Sequence, residues 1–495
     1  MFKFCIKSFL ITRAIYISFI IAIFHSNFIS KYDLSPYIVA PTDNNETKDY
    51  SLLESKILQF LNHFSSYDAI MFVDIAKESH RNDSTFAFFP LFPYLIRGSA
   101  NLLKLFHFKN DYTPYLISGF ILSNALCLIN TILVSSLIFK LTTSTLRGKL
   151  AAILFLINPG TIFYISIYSE NLCFTLQLLF VLIMISPSTH SSKFLPCSII
   201  ILFLVTTRSN GLFMCSFFVI PCLSSILLSK KHLNRLFDPE SFRFNISTFF
   251  SLLRNKIEVV GKYIILCFHA YLVFLWMTKF QPRQDICTKV KQGINKDTAK
   301  YSTFELYCFH KSQSSIDNIY SYIQKEYWNV GFLKQISLNS IDRVLLSLPM
   351  NIVAAYIAYK AITYFDFPQL LFKFNLFKFL LKNQFYNEKK TKGTKIEVKE
   401  VSNPSYDDDV RLNSFILSGL IHLLLMMFVL ICMAHPQINN RLLAGCPIIY
   451  YFLSEEMETF IKSGKIYMKG LLIIIFYISF SFLSCIMQVG SYGFA

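Results

Sequence analysis

Along the whole chain, long apolar runs alternate with short polar interruptions. Runs of membrane-crossing length fall near 14–30, 115–139, 150–166, 168–186, 194–207, 211–229, 258–277, 342–364, 413–434 and 470–488, with a weaker one at 441–453. A helix that crosses the hydrocarbon core needs roughly 20 mostly apolar residues. The pattern therefore predicts an all-α polytopic membrane protein, a bundle of about nine to eleven transmembrane helices joined by polar loops. The apolar stretch 86–107 is interrupted by Pro90 and Pro93. Proline breaks the helical ladder, so this stretch is expected to be a re-entrant or amphipathic helix rather than a full span.

The polar interruptions give sidedness. Lys3, Lys7 and Arg13 open the chain, and Lys140, Arg147 and Lys149 occupy the loop 140–149. Loop 230–257 adds Lys230, Lys231, Arg235, Arg243, Arg254 and Lys256, and a Lys cluster runs from Lys373 to Lys399. Basic loops of this kind stay cytoplasmic. The first large loop, 31–113, is acid-rich where it begins (Asp33, Asp43, Glu46, Asp49, Glu54) and carries the sequons Asn45-Glu46-Thr47 and Asn82-Asp83-Ser84. Both features fit a lumen-facing loop. Loop 278–341 holds nine Lys and Arg, yet it is long enough to escape the charge rule, and the order of spans makes it the second luminal loop. The stretch 366–412 is read as a disordered, Lys-rich cytoplasmic insert. Residues 1–495 form a single multi-span membrane domain in this reading.

Composition narrows the function classes. Of the 495 residues, 54% are hydrophobic and 16% charged, with mean hydropathy +0.46; soluble domains carry roughly 25% charged residues. The formal charge of +17 is scattered between apolar runs and forms no basic domain, which excludes nucleic acid as a partner. Most of the 12 cysteines sit inside apolar runs as small hydrophobes, and no CxxC or Cys/His spacing reads as a metal site. Cys287 and Cys308 differ, because they share a polar loop; in a luminal loop they are candidates for a disulfide. The run Asp407-Asp408-Asp409 lies in a charged cytoplasmic segment and reads as solvated charge, not as a metal clamp. No GxSxG, HExxH, Walker A or GxGxxG motif occurs, so neither a cofactor nor a metal is expected.

Ionisable residues pinned beside apolar runs ask for a reason, since charge at membrane depth is costly. Asp68 and Asp74 lie six residues apart in an apolar stretch, about 240° apart around a helix, and so are not a metal-binding pair. Asp68 at a membrane surface suits general-base work; its bland alternative is a helix N-cap. Glu170 sits between two apolar runs, and Arg208 and Arg441 fall at luminal boundaries. Arginine there suits a lipid phosphate, against the alternative of snorkelling to headgroups.

Taken together, these segments resemble the GPI mannosyltransferase 2 family of class-C glycosyltransferases. Asp68-Ala69 with Phe72 and Ile75-Ala76 is similar to its first-loop motif, Trp-Asp-Ala. Phe86-Ala87-Phe88-Phe89-Pro90-Leu91-Phe92-Pro93 resembles a second run, and Asn158-Pro159 with Tyr168-Ser169-Glu170 a third. Arg208-Ser209-Asn210-Gly211 and the Arg441 region resemble two more. The longest is Ile319 to Gln324 followed by Tyr327-Trp328-Asn329-Val330-Gly331-Phe332-Leu333. The resemblance covers roughly residues 5–490, and departs from the pattern at Tyr67, which replaces Trp, and at Ile70-Met71, which replace Glu-His.

The resemblance implies an inverting mannosyltransferase in the endoplasmic-reticulum membrane, its active site facing the lumen. Dolichyl-phosphate-mannose would be the donor and the mannosylated glucosaminyl-phosphatidylinositol lipid the acceptor of an α-1,6-linked second mannose. Asp68 would be the catalytic base. Arg208 and Arg441 would hold the lipid phosphate, Glu170 and Asn329 sugar hydroxyls, and Asn210 and Trp328 would also bind substrate. It leaves a small membrane partner subunit open. The competing readings are another dolichol-dependent mannosyltransferase acting on lipid-linked oligosaccharide or protein, a transporter, and a scaffold that has lost activity, the last motivated by Ile70-Met71.

Overall fold

The computed structural model describes residues 1–26, 51–80, 83–186, 190–218, 246–292, 301–309, 316, 318–333, 341–364, 406–434, 438–463 and 468–489. Among these the fold is all-helical, without strands. The helices in the first half are α1 (Phe2–His25), α2 (Leu52–Asn62), α3 (Asp68–Glu78), α4 (Leu91–Leu103), α5 (Thr113–Thr142), α6 (Thr145–Leu156), α7 (Thr161–Ile165), α8 (Glu170–Met184) and α9 (His190–Thr207). The second half holds α10 (Ile246–Leu275), α11 (Gln281–Lys291), α12 (Tyr301–Phe309), α13 (Ile319–Trp328), α14 (Ile341–Tyr364), α15 (Tyr406–Met433), α16 (Ile438–Leu443), α17 (Pro447–Ser463) and α18 (Met468–Val489).

Four stretches among the described residues are long and apolar enough to cross a membrane: Phe2–His25, Thr113–Thr142, Gly261–Lys291 and Arg411–Met433. Other predicted runs are broken, as at 150–166 and 441–453, are shorter, as in α8, or lie partly outside the described residues, as at 211–229. The run 150–166 is two helices, not one. Asn158-Pro159-Gly160 divides it: the Asn158 side chain accepts from Gly160 N at 2.8 Å and donates to Phe155 O, and Thr161 Oγ1 returns to Leu156 O at 2.7 Å. These bonds satisfy the groups that Pro159 takes out of the ladder. The run 441–453 is likewise split at Ala444-Gly445-Cys446 between α16 and α17. The stretch 86–107 resolves into α4, 13 residues long and too short to span. Residues 366–405 of the predicted insert, and both sequon asparagines, lie outside the described residues. Residues from Tyr406 onward belong to α15.

Helix α1 starts at Phe2, so Lys3, Lys7 and Arg13 ride on it rather than preceding it. Arg13 is buried and donates to Tyr164 O at 3.3 Å and to the Cys127 thiol. The central core gathers Phe155, Tyr164, Phe174 and Tyr450 from α6, α7, α8 and α17, their rings in edge and stacked contact at 5.2 to 6.3 Å. A second, smaller core lies in the loop that follows α10. There Ile286, Val290, Phe304, Tyr307, Ile316, Ile319 and Ile323 pack around Phe86, which comes from the first loop. A disulfide joins Cys287 on α11 to Cys308 on α12, with Cα atoms 5.4 Å apart. The loops 31–113 and 278–341 therefore meet on one side of the bundle.

Candidate active site

Four charged side chains converge where the two loops meet the bundle. Glu170 opens α8 and is almost fully buried. Its Oε1 accepts from Arg441 Nε at 2.6 Å and pairs with Arg208 Nη1 at 2.7 Å. Arg441 turns its Nη1 to Asp68 Oδ2 at 2.6 Å. Charge-assisted bonds of this length hold both partners in fixed geometry. The Arg441 guanidinium also lies between the rings of Phe163 and Tyr168, each 4.9 Å from its centre, an arrangement that suits a weakly hydrated planar cation. Arg208 Nη1 reaches Ser169 Oγ at 3.0 Å as well. The chain is thus Asp68, Arg441, Glu170, Arg208: two carboxylates alternating with two cations.

The backbone around these groups is shaped to bring them together. Asp68 begins α3, and Tyr67 before it has φ 56°, a left-handed value uncommon for a residue with a bulky side chain. Strain of that kind costs about 1–3 kcal/mol and needs support from neighbours. Ile167 N donates to Phe64 O at 3.2 Å and Tyr168 Oη to Ser66 O at 3.1 Å, so the segment leading to Asp68 is clamped to the segment leading to Glu170. Two glycines permit close approach. A Cβ on Gly160 would lie 2.7 Å from Asn440 O, the carbonyl next to Arg441, and one on Gly211 would lie 2.5 Å from Leu204 O. The first allows the broken helix to touch the Arg441 turn. The second folds Arg208-Ser209-Asn210 back over the end of α9.

Asp68, Arg208 and Arg441 border a cavity of about 1490 Å³. Asp68, Arg208, Asn210, Trp328, Asn329 and Arg441 all line it. Glu170 does not: its side chain is 2% exposed and sits behind the two arginines. Asn210 Oδ1 is a buried acceptor with no partner among the described residues. Trp328 meets Phe88 edge-to-face at 6.0 Å, and Phe88 in turn meets Phe72, one turn along α3 from Asp68. Asn329 ends α13 in the left-handed conformation, φ 54°, where asparagine is tolerated. Beyond it Leu333 N donates to Cys432 O at 2.6 Å, which fastens the Tyr327–Leu333 segment to α15. The lining also includes apolar side chains, among them Phe213, Leu345, Met426 and Leu430. Asp74 points elsewhere and accepts from Tyr112 Oη at 3.3 Å, as its position on another helix face requires.

Several contributors lay in or beside the family motifs but were given no site role from the sequence. Phe163 and Tyr168 flank Arg441, and Tyr320, Ser321 and Gln324 line the cavity from α13. The signal for the last three was present as spacing: 320, 321, 324, 327 and 328 share one helical face. His80 lies outside this lining, at the contact between the two loops. It stacks on Phe86 at 4.8 Å, its carbonyl accepts from Lys289 Nζ, and burial together with the Lys289 and Arg97 cations pulls it down to about 4.

Residues 3–494 match the family described as Mannosyltransferase (PIG-V). Among curated relatives, GPI mannosyltransferase 2 of Drosophila melanogaster is 21% identical over 453 residues, covering 89% of each chain. GPI alpha-1,6-mannosyltransferase 2 of Homo sapiens is 26% identical over 425 residues, covering 82% of this chain and 76% of the relative. An archaeal oligosaccharyltransferase from Archaeoglobus fulgidus is 11% identical, with a TM-score of 0.41 over 85% of this chain and 51% of that one. That likeness is too distant to carry an argument.

Proposed function

The chain belongs to the mannosyltransferase (PIG-V) family, and on that premise we propose that it transfers the second mannose, in α-1,6 linkage, to the mannosylated glucosaminyl-phosphatidylinositol intermediate of GPI-anchor biosynthesis. The observation that carries this reading is the Asp68–Arg441–Glu170–Arg208 chain, three of whose members line a cavity that is otherwise lined largely by apolar side chains. A lipid-linked donor and a lipid-linked acceptor both need such a site, with charged groups and hydrocarbon contact in one cavity.

The donor is dolichyl-phosphate-mannose, and the transfer inverts the anomeric centre. The acceptor hydroxyl attacks the anomeric carbon, its proton passes to Asp68, and the bond to the phosphate oxygen breaks as dolichyl phosphate leaves. Asp68 Oδ2 is held by Arg441, so Oδ1 is the oxygen left to take the proton. Arg208 faces the cavity, its Nη1 engaged but its other donors unbonded among the described residues; it binds the departing phosphate. Arg441 is shared between two carboxylates. Its first task is to orient Asp68, and phosphate contact is secondary. Glu170 has no face toward the cavity, which favours a role as the counter-ion of both arginines over contact with sugar hydroxyls. Asn210, Trp328 and Asn329 contact the sugars.

The site faces the lumen of the endoplasmic reticulum in a bundle of about nine to eleven spans. Three features support that orientation: the Cys287–Cys308 bond, the meeting of the two loops on one side, and the opposite placement of Arg147 beside Glu455. Expression in cells lacking the second GPI mannosyltransferase tests the function. Surface GPI-anchored proteins return if the proposal is right; a well-expressed chain that leaves them absent rejects it.

A further inference from the structure

Helix α13 has two faces with different chemistry. Ile319 and Ile323 are fully buried in the small core that the Cys287–Cys308 bond braces. On the other side Tyr320, Ser321, Gln324, Tyr327 and Trp328 line the cavity. Their spacing of one, four, seven and eight residues from Tyr320 is one stripe of an α-helix. The stripe combines aromatic rings with a hydroxyl and a primary amide. Amides and hydroxyls pair with sugar hydroxyls as both donors and acceptors, and a ring with one wet edge packs against the apolar face of a pyranose.

The two ends of the stripe meet different parts of the site. At the N-terminal end Tyr320 Oη donates to Ser209 Oγ at 3.3 Å, beside Arg208. At the C-terminal end Trp328 packs on Phe88, which packs on Phe72 of the helix that begins at Asp68. Tyr320 also packs on Phe89 at 5.9 Å, so that end of the stripe is engaged at the Arg208 turn. Gln324 and Trp328 are the part of the stripe left to meet a glycan whose hydroxyl reaches Asp68.

We infer that α13 is an acceptor-reading helix, on which Gln324 and Trp328 recognise the glycan of a mannosyl-glucosaminyl lipid and so set acceptor specificity. Tyr320 is a positioning residue that holds the helix to the Arg208 turn. This inference rests on the proposed function and deepens it. The disulfide-braced core then has a purpose: it gives a luminal helix outside the bundle the rigidity that reading hydroxyls demands.

The chain contains only two tryptophans, and the other one, Trp276, is about half exposed and lies outside the cavity lining. Trp276→Phe thus leaves Trp328 as the sole tryptophan, read selectively by excitation at the red edge of its absorption. In the full-length protein in lipid nanodiscs, mannosyl-glucosaminyl-phosphatidylinositol shifts Trp328 emission, whereas dolichyl phosphate alone does not. Gln324→Ala in the same background weakens acceptor binding about tenfold, the worth of one lost hydrogen bond. In turnover it raises the acceptor KM by a similar factor while donor KM and kcat hold. A donor KM that moves instead, or a Trp328 signal that answers to dolichyl phosphate alone, overturns the inference. A parent protein that transfers mannose while Gln324→Ala matches it throughout overturns the inference and leaves the function standing. If the parent transfers no mannose and Trp328 ignores the acceptor, both fail.

Discussion

Glu170 carries one negative charge between two guanidiniums in a nearly water-free position. Removing one partner from a buried ion pair costs about 3–5 kcal/mol, because the remaining charge stays desolvated. Glu170→Gln is therefore expected to lower the melting temperature of the detergent-solubilised protein by several degrees and to disorder Arg208. An unchanged melting temperature would show that the arginines find other partners. Asp68, Arg208 and Arg441 were legible in the sequence because each interrupts apolar surroundings, where a charge needs a use. Their pairing was not. Arg441 and Glu170 lie 271 positions apart, and no local pattern encodes a contact of that range. The counter-ion role proposed for Glu170 was hidden for the same reason: a carboxylate beside two apolar runs reads as a ligand until its cations are placed.

At the scale of elements, the small loop core is the part most open to test. Closing the 21-residue separation between Cys287 and Cys308 stabilises by about 3 kcal/mol in the chain-entropy picture. Cys287→Ser should speed hydrogen exchange across α11 to α13 and leave α5 and α8 protected. Equal exchange across the bundle would contradict the separation of the two cores. His80 adds a pH dependence to the same contact. Its pKa in the folded chain is about 4, below the ordinary 6.5, so the folded state prefers the neutral ring. The stabilisation is complete above about pH 6.5 and is lost as pH falls toward 4. Protection factors at residues 83–90 and 286–290, taken relative to the intrinsic exchange rate at each pH, should fall between pH 7 and pH 5; unchanged protection factors would remove His80 from the contact. Long uninterrupted helices such as α5 were predictable from hydropathy alone. The splits at Asn158-Pro159-Gly160 and Ala444-Gly445-Cys446 were written in punctuation residues but masked by the apolar runs around them.

For the molecule as a whole, the packing of Phe86 from the first loop into the small core between Ile286 and Ile323 is the decisive feature of topology. The loop 278–341 is basic by count, and charge alone would send it to the cytoplasm. Phe86 packed among Ile286, Val290, Phe304 and Ile319 puts it with the first loop. If that shared side is luminal, the sequon at Asn45 is available for glycosylation, and an added sequon in the Lys373–Lys399 stretch is not. Modification of the added site would reverse the orientation. The sequence carried the class of the molecule in its hydropathy and the family in its motifs. It could not carry the cavity, which needs α3, α9, α13 and α15 to be in place at once.

The central claim is that this cavity moves one mannose from dolichyl-phosphate-mannose to the mannosylated lipid acceptor, with Asp68 as the base. Purified full-length protein, given labelled donor and that acceptor, tests it in a single turnover. The account predicts a product with one further α-1,6-linked mannose, and a rate that Asp68→Asn lowers by about 10²–10⁴-fold while the protein still expresses and folds. Transfer at the parental rate by Asp68→Asn, or no transfer by a folded parent, would contradict it.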